Sequence, residues 1–215
     1  KKIGVVSSIV GVGGMVFNFK GVQNHAGTTM MNIRKDAARA LFKLAAGINE
    51  EFPKVAEENS VWTMGRAILH PGAPSIVPGG AELELQYRDA SLEILEAFEE
   101  TAKKLMAEIN QENGATVESR ASRVQIPPCQ MDTQCRGHLS YAAEMHSPQS
   151  WKTMPSGAFH DAGIVQAVLP SGMLFIPSMG GISHDFSENS LDEDIVLGCQ
   201  VMADASVSLL QTQPV

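Results

Sequence analysis

The chain has 215 residues, enough for one large domain or two small ones. Its hydrophobic content of 44%, with 19% charged residues, is ordinary for a globular protein, and no apolar run reaches the roughly eighteen residues of a membrane-spanning helix. The formal net charge of −8 and the lack of a basic run argue against a nucleic-acid partner.

The N-terminal stretch "KKIGVVSSIVGVGGMVF" is similar to a signal peptide, because two lysines precede an apolar segment. Its β-branched residues and glycines are more typical of a strand that leads into a hinge at residues 11–14. The glycines there lack the lysine and the spacing of a phosphate-binding loop. Because the chain starts at Lys1 and not at a methionine, we expect it to be a piece of a longer protein.

The three cysteines, Cys129, Cys135 and Cys199, form no CxxC pair and are odd in number. This usage favours reduced thiols over a disulfide framework. It predicts a cytoplasmic protein.

Residues 12–123 show the order strand, helix, strand, strand, helix, strand. The alternation of Phe17 and Phe19 with polar residues indicates the first strand, and the apolar spacing over 35–51 predicts a helix that ends before Pro53. A second strand is predicted over 61–70.

The turn at 71–80 is rich in proline and glycine, and the next strand, "AELELQYRD", alternates strictly. Its alternation places Leu83, Leu85 and Tyr87 on one face and Arg88 on the other. A second helix is predicted over 91–112 with Ser91 as its N-cap, and "ATVESRAS" is predicted to be an edge strand.

A βαββαβ order of this kind builds a four-stranded antiparallel sheet with both helices on one face, the ferredoxin-like sandwich. We therefore expect residues 12–123 to form such a domain. Its open sheet face or edge would be covered by a partner or by another domain.

Residues 124–215 show a different pattern, with short strands and glycine-rich turns. A final helix is predicted over about 192–210, and its first residues are acidic, which suits the helix dipole. The segments "WKTMPSGAFHDA" and "GMLFIPSMGGISHDFSE" each run a strand into a turn that presents a histidine beside an aspartate. Strands that end in such turns are typical of α/β enzymes.

Three histidines are candidates for chemistry, and each has a structural alternative. His25 either completes local packing or faces a ligand. His160 either begins a helix or meets a substrate, and its neighbour Asp161 cannot face it as a triad partner would. His184 sits in a turn that suits a metal ligand or base, but one histidine makes no metal site.

Arg88 is the most informative cation, because a guanidinium binds a carboxylate through a two-pronged fork that lysine cannot reproduce. The alternative is a surface arginine paired with Glu82 or Glu84.

Four linked motifs follow one another along the chain: "NHAGTTMMNIRKDA", "HPGAPSIVPG…YRD", "PSGAFHDA" and "MGGISHDFSE". In this order and spacing they resemble the dimetal amidohydrolases of the M20 peptidase clan. The nearest branch contains N-carbamoyl-L-amino acid hydrolases, allantoate and ureidoglycolate amidohydrolases, and β-ureidopropionase of the yeast type. The resemblance covers essentially the whole chain.

The resemblance implies an α/β catalytic domain interrupted by an α+β ferredoxin-like lid that also forms a homodimer. Residues 1–11 would be the end of a preceding catalytic segment and a hinge, 12–123 the lid, and 124–215 the C-terminal part of the catalytic domain. The first catalytic half, with the other metal ligands and a glutamate base, would precede Lys1.

Matched position by position, the resemblance implies that His184 is a metal ligand, that His25 is a catalytic residue that steadies an oxyanion, and that Arg88 clamps a substrate carboxylate. It further implies substrate contacts from Ser75, His160 and Gly181. The complete enzyme would hold two divalent ions, Zn, Mn, Co or Ni, and hydrolyse a linear amide or ureido C–N bond of a small carbamoyl or ureido acid. The 215 residues alone would be inactive.

The chain departs from this family pattern at three positions. Ser75 stands where many members have asparagine, Met30 replaces a proline, and Phe159 replaces a glycine. These departures leave the substrate open, including an aminoacylase- or peptidase-type substrate. The remaining alternative is a non-catalytic module for dimerisation and ligand binding.

Overall fold

The computed structural model describes residues 2–112 and 114–212. It divides into two compact units. The central unit is the segment Gly11–Pro128, and the terminal unit combines the chain up to Val10 with the chain from Cys129 onward.

Both units combine strands with helices, so the chain is a mixed α/β protein. The strands are β1 Ile3–Ile9, β2 Gly11–Lys20, β3 Asn24–His25, β4 Val61–His70, β5 Ile76–Val77, β6 Gly80–Asp89, β7 Thr116–Ala121, β8 Cys129–Gln130, β9 Trp151–Ser156 and β10 Leu174–Phe175. The helices are α1 Ala37–Glu51, α2 Leu92–Asn110, α3 Thr133–His146, α4 Asp161–Val165 and α5 Asp192–Thr212. No described helix combines the length and apolarity that crossing a membrane requires.

The central unit is built on a four-stranded sheet in the order β4-β6-β2-β7, with all neighbouring strands antiparallel. Residues of β6 alternate between buried and half-buried, and the buried set includes Leu83, Leu85 and Tyr87. These side chains share one apolar cluster with residues of α1 and α2 such as Leu44 and Phe98. Both helices therefore cover the same face of the sheet.

An aromatic cluster closes the core of the central unit. Phe52 stacks on Phe98 with ring centroids 4.4 Å apart, and Trp62 and Tyr87 approach Phe98 at 5.9 and 5.6 Å. Burial raises the pKa of Tyr87 to about 12. Its hydroxyl therefore stays neutral inside the cluster.

The predicted helices and strands of this unit are confirmed, with helix boundaries shifted by up to two residues. Ser91 caps α2 as predicted, since its hydroxyl accepts from the Ile94 N–H. Residues 11–14 begin β2, directly after the boundary between the two units at Val10 and Gly11, and the hinge expected there stays a prediction. A Cβ at Gly13 would lie 2.2 Å from the Tyr87 ring, so close packing accounts for this glycine.

The terminal unit has β1 at the centre of a second sheet. This strand pairs with β8 and β10 in antiparallel fashion and with β9 in parallel fashion. Residues of α3 and α5, among them Ala143 and Val201, join Ile3 and Val5 in one buried cluster.

Helix α3 was missed by the sequence interpretation, which expected only short strands and turns before the final helix. Its buried residues are Leu139, Ala142 and Ala143, so its apolar stripe is short and made mostly of small side chains. Gly137 further weakens the helical signal. Packing against α5 and β1 supplies the missing stabilisation.

We predict that Phe98→Ala lowers the free energy of unfolding of the central unit by about 3–5 kcal/mol, because it empties the middle of the aromatic cluster. Phe42→Ala is the matched control, since Phe42 on α1 is 60% exposed and should cost about 0.5 kcal/mol or less. Urea titration followed by Trp62 fluorescence, with Trp151 replaced by Phe, reports on this unit alone. Equal effects of the two variants would contradict the assignment of the core.

Candidate functional site

His25 and Ser75 are brought together by a two-residue antiparallel pairing. Strand β3 pairs with β5, with His25 opposite Ile76, and the Ala26 N–H donates to the Ser75 carbonyl at 2.9 Å. The His25 and Ser75 side chains are exposed. The structure therefore places two of the predicted site residues on one surface of the central unit.

The hydrogen bonds around His25 define its tautomer. The Gly27 N–H donates to His25 Nδ1 at 3.1 Å. A backbone amide can only donate, so Nδ1 carries no proton and the proton of the neutral ring resides on Nε2. His25 therefore presents an N–H donor towards solvent.

Arg34 donates hydrogen bonds to backbone carbonyls of the segment 25–29, which contains His25. Its guanidinium donates to the carbonyl of Thr29 at 2.9 Å and to the carbonyl of Ala26, while the Thr29 N–H and hydroxyl donate to the His25 carbonyl at 3.2 and 2.7 Å. Sequence reasoning missed this role. Arg34 lies within the motif that contains His25, but no spacing rule marks an arginine that binds backbone carbonyls.

Arg88 lies near the far end of β6. It pairs with Val12 and Val61 on the flanking strands, and its guanidinium donates to the Gln86 side-chain carbonyl at 3.2 and 3.1 Å. It lies eight residue steps along β6 from Gly80, where the strand leaves the Ser75 loop. At a rise of about 3.3 Å per residue this is about 26 Å, so Arg88 lies far along the strand from the loop that carries Ser75.

His160 belongs to the terminal unit and is half-buried. It is the N-cap residue of α4, but its side chain makes no capping hydrogen bond. Its Nε2 lies 2.9 Å from the hydroxyl of Ser156, and its ring lies 5.5 Å from the Phe175 ring. The interpretation that His160 begins a helix is confirmed, and the bond to Ser156 fixes the orientation of its ring.

His184 occupies an exposed turn with an unusual backbone. Its φ is +59° and that of Gly181 is +69°, both in the left-handed region. The His184 N–H donates to Glu188, and the Ser187 N–H and hydroxyl donate to one oxygen of Asp185 at 2.9 and 2.6 Å. The two hydrogen bonds from Ser187 hold the pKa of Asp185 below its usual range. A non-glycine residue in this conformation is often found at functional sites.

Within the described ranges, no group of three or more His, Cys, Asp or Glu side chains could hold a metal ion. His184 offers one imidazole donor. Metal centres in proteins require several converging ligands, so these residues alone do not make a two-metal site.

Comparison with protein families gives one match that covers most of the chain. The model of peptidase family M20/M25/M40 matches residues 9–207.

Individual relatives agree with this match. A ureidoglycolate hydrolase from Oryza sativa subsp. japonica is 30% identical over 208 residues, which are 97% of this chain and 43% of the relative. An N-carbamoyl-L-amino acid amidohydrolase from Geobacillus stearothermophilus is 26% identical, over 93% of this chain and 48% of the relative. The chain thus spans about half the length of the curated relatives it matches.

Among solved structures, an amidase of the hydantoinase/carbamoylase family from Burkholderia phymatum is similar to this chain. The TM-score is 0.88 and the identity 41%, over 97% of this chain and 50% of that one.

We predict that Arg34→Ala speeds hydrogen exchange of the Thr29 amide about tenfold, because the variant removes two charge-assisted hydrogen bonds to the segment. Arg39→Ala, an exposed arginine five positions along, is the control and should leave that amide unchanged. NMR-detected exchange of Thr29 and Gly27 makes the measurement. An unchanged exchange rate in Arg34→Ala would show that the segment is stabilised by its own hydrogen bonds and not by Arg34.

Proposed function

The chain belongs to peptidase family M20/M25/M40, and from this membership we propose that the protein hydrolyses a linear amide or ureido C–N bond. The substrate we propose is an N-carbamoyl-L-amino acid or a related ureido acid. The names of the curated relatives support this class of reaction. The observation that carries the proposal is the exposed Nε2–H of His25, fixed as a donor by the Gly27 N–H.

In the proposed reaction His25 donates this N–H to the oxygen of the attacked carbonyl, where negative charge develops. Arg88 binds the substrate carboxylate through its guanidinium fork, exchanging its contact with Gln86 for the stronger charged pair. Ser75, His160 and Gly181 contact the substrate around the scissile bond. The chain has a net charge of −8, which repels an acidic substrate, so a local positive charge such as that of Arg88 is needed to bind one.

His184 is proposed as a metal ligand. The complete enzyme would hold two divalent ions, Zn, Mn, Co or Ni, which would supply a bound water of lowered pKa as the nucleophile. One exposed imidazole in a rigid turn fits a single ligand of such a centre. The roles of His25 and Arg88 rest on their own geometry and do not depend on the identity of the metal.

The central unit is proposed to be a ferredoxin-like lid. The order of its strands along the chain, the arrangement β4-β6-β2-β7 and the two helices on one face support this interpretation. The terminal unit would then be part of the catalytic domain. The cytoplasmic location expected from the cysteines stays a prediction.

We propose a homodimer through the lid, and the separation of Arg88 from the Ser75 loop supports it. About 26 Å of β6 lies between Arg88 and Gly80, next to the loop that carries Ser75 and pairs with His25, and a small ureido acid does not span that length. If both residues touch one substrate molecule, they must come from two chains. We therefore propose that each site combines His25 of one protomer with Arg88 of its partner.

The substrate class is tested with the natural gene product, supplied with divalent metal and offered an N-carbamoyl-L-amino acid, the N-acetyl analogue and a dipeptide. We expect ammonia release from the carbamoyl acid, with kcat/KM at least about tenfold above the other two. Chelation should abolish turnover and added metal should restore it. Preference for the N-acetyl compound or the dipeptide would indicate an aminoacylase or a peptidase, and no turnover of any compound would indicate a binding module.

The shared site is tested by mixing two inactive variants. His25→Ala should lower kcat about 10²–10³-fold through loss of the oxyanion donor, and Arg88→Ala should raise KM for acids. In a 1:1 co-expression, half the dimers are mixed and each mixed dimer contains one intact site, so activity should return to about one quarter of wild type. Activity no higher than that of either variant alone would place both residues in one chain's site. Light scattering that gives a monomer mass would also contradict the dimer.

A further inference from the structure

Ser156 ends β9 four residues before His160, and its side chain is 1% exposed. Its hydroxyl has three polar neighbours. It accepts from the Ala158 N–H at 3.2 Å, donates to the Ala158 carbonyl at 2.9 Å, and lies 2.9 Å from His160 Nε2.

The single proton of this hydroxyl decides how His160 is protonated. If the proton points to the Ala158 carbonyl, His160 Nε2 must donate to the hydroxyl oxygen, and the hydroxyl, both backbone groups of Ala158 and Nε2 are all paired. If the proton points to His160 Nε2, the Ala158 carbonyl loses its partner. The first arrangement keeps one more hydrogen bond and is favoured.

The remaining nitrogen of the ring, Nδ1, has no hydrogen-bond partner in the part of the chain that the structure describes. The Phe175 ring, 5.5 Å away, and the bond to Ser156 restrict rotation of the imidazole. A neutral ring with its proton on Nε2 has an acceptor lone pair at Nδ1. It therefore suits a ligand that brings a donor.

We infer that Ser156 is a positioning residue that holds His160 as the Nε2–H tautomer, so that Nδ1 accepts an N–H from the amide or ureido group of the substrate. This inference rests on the proposed function, since it names the substrate group that His160 recognises. It gives His160 the role of an acceptor, where His25 is proposed as a donor.

The tautomer is measured directly by ¹⁵N NMR of the natural gene product labelled at its histidines. The His160 signal is identified by its loss in His160→Gln, and spectra are taken where the ring nitrogen shifts report a neutral imidazole. We expect the shifts of a protonated Nε2 and an unprotonated Nδ1. A protonated Nδ1 in the wild type overturns the inference without any assay of activity.

Kinetics test the consequence for the substrate. Ser156→Ala should raise KM for the N-carbamoyl acid about tenfold and leave kcat within about twofold, because the lost contact is made equally in the ground and transition states. Ser156→Thr, which keeps the hydroxyl, should restore KM. Ser8→Ala is the matched control, a 5% exposed serine of β1 in the same unit, and should leave KM unchanged.

An unchanged KM in a folded Ser156→Ala protein overturns the inference even if the tautomer is as expected. If the wild-type protein hydrolyses no ureido or carbamoyl acid, the proposed function fails, and the substrate part of this inference fails with it. Thermal unfolding of each variant separates loss of positioning from loss of the fold.

Discussion

Ten consecutive residues of β2 pair with β6, and this pairing tolerates no slip of register. A shift of one residue would move Leu83 and Tyr87 from the core to the open face and would bring Arg88 inside, at the cost of burying a charge. The same pairing fixes the length of β6 between the Ser75 loop and Arg88. The distance between Arg88 and the Ser75 loop is therefore a consequence of core packing.

His25 in the central unit and His160 in the terminal unit are each oriented by a local hydrogen bond, but the bond engages a different ring nitrogen in each. At His25 a backbone amide donates to Nδ1 and leaves Nε2–H free. At His160 a buried serine engages Nε2 and leaves Nδ1 free. An amide or ureido group has both an acceptor oxygen and donor nitrogens, and a ring of each kind suits one of them. Neither arrangement requires a charged histidine.

Periodic features of the sequence predicted the periodic parts of the structure. The alternation in β6, the stripe of α1 and the Ser91 cap depend on neighbours two to four residues apart, which a sequence displays directly. Helix α3 escaped prediction because its small buried alanines gain stability only by contact with α5 and β1. The pairing of His25 with Ile76 and the Arg34 bonds to carbonyls escaped for the same reason, since they join segments through backbone groups that carry no sequence signal. The family resemblance named His25 and His160 but could not reveal which nitrogen of each is free.

The three departures from the family pattern alter side chains without altering the backbone that supports the site. Met30 has φ of −63°, the value that proline would impose, so its replacement of proline leaves the local chain path available. Ser75 contributes its backbone carbonyl to the Ala26 N–H, a contact that asparagine would make equally well. Phe159 is 38% exposed and is not among the described residues with positive φ, so no backbone strain follows from the loss of glycine. Because these changes lie on exposed positions near His25 or His160 and spare the fold, we propose that they act on what the proposed site binds, so that this protein differs from its relatives in substrate more than in stability or in the class of reaction.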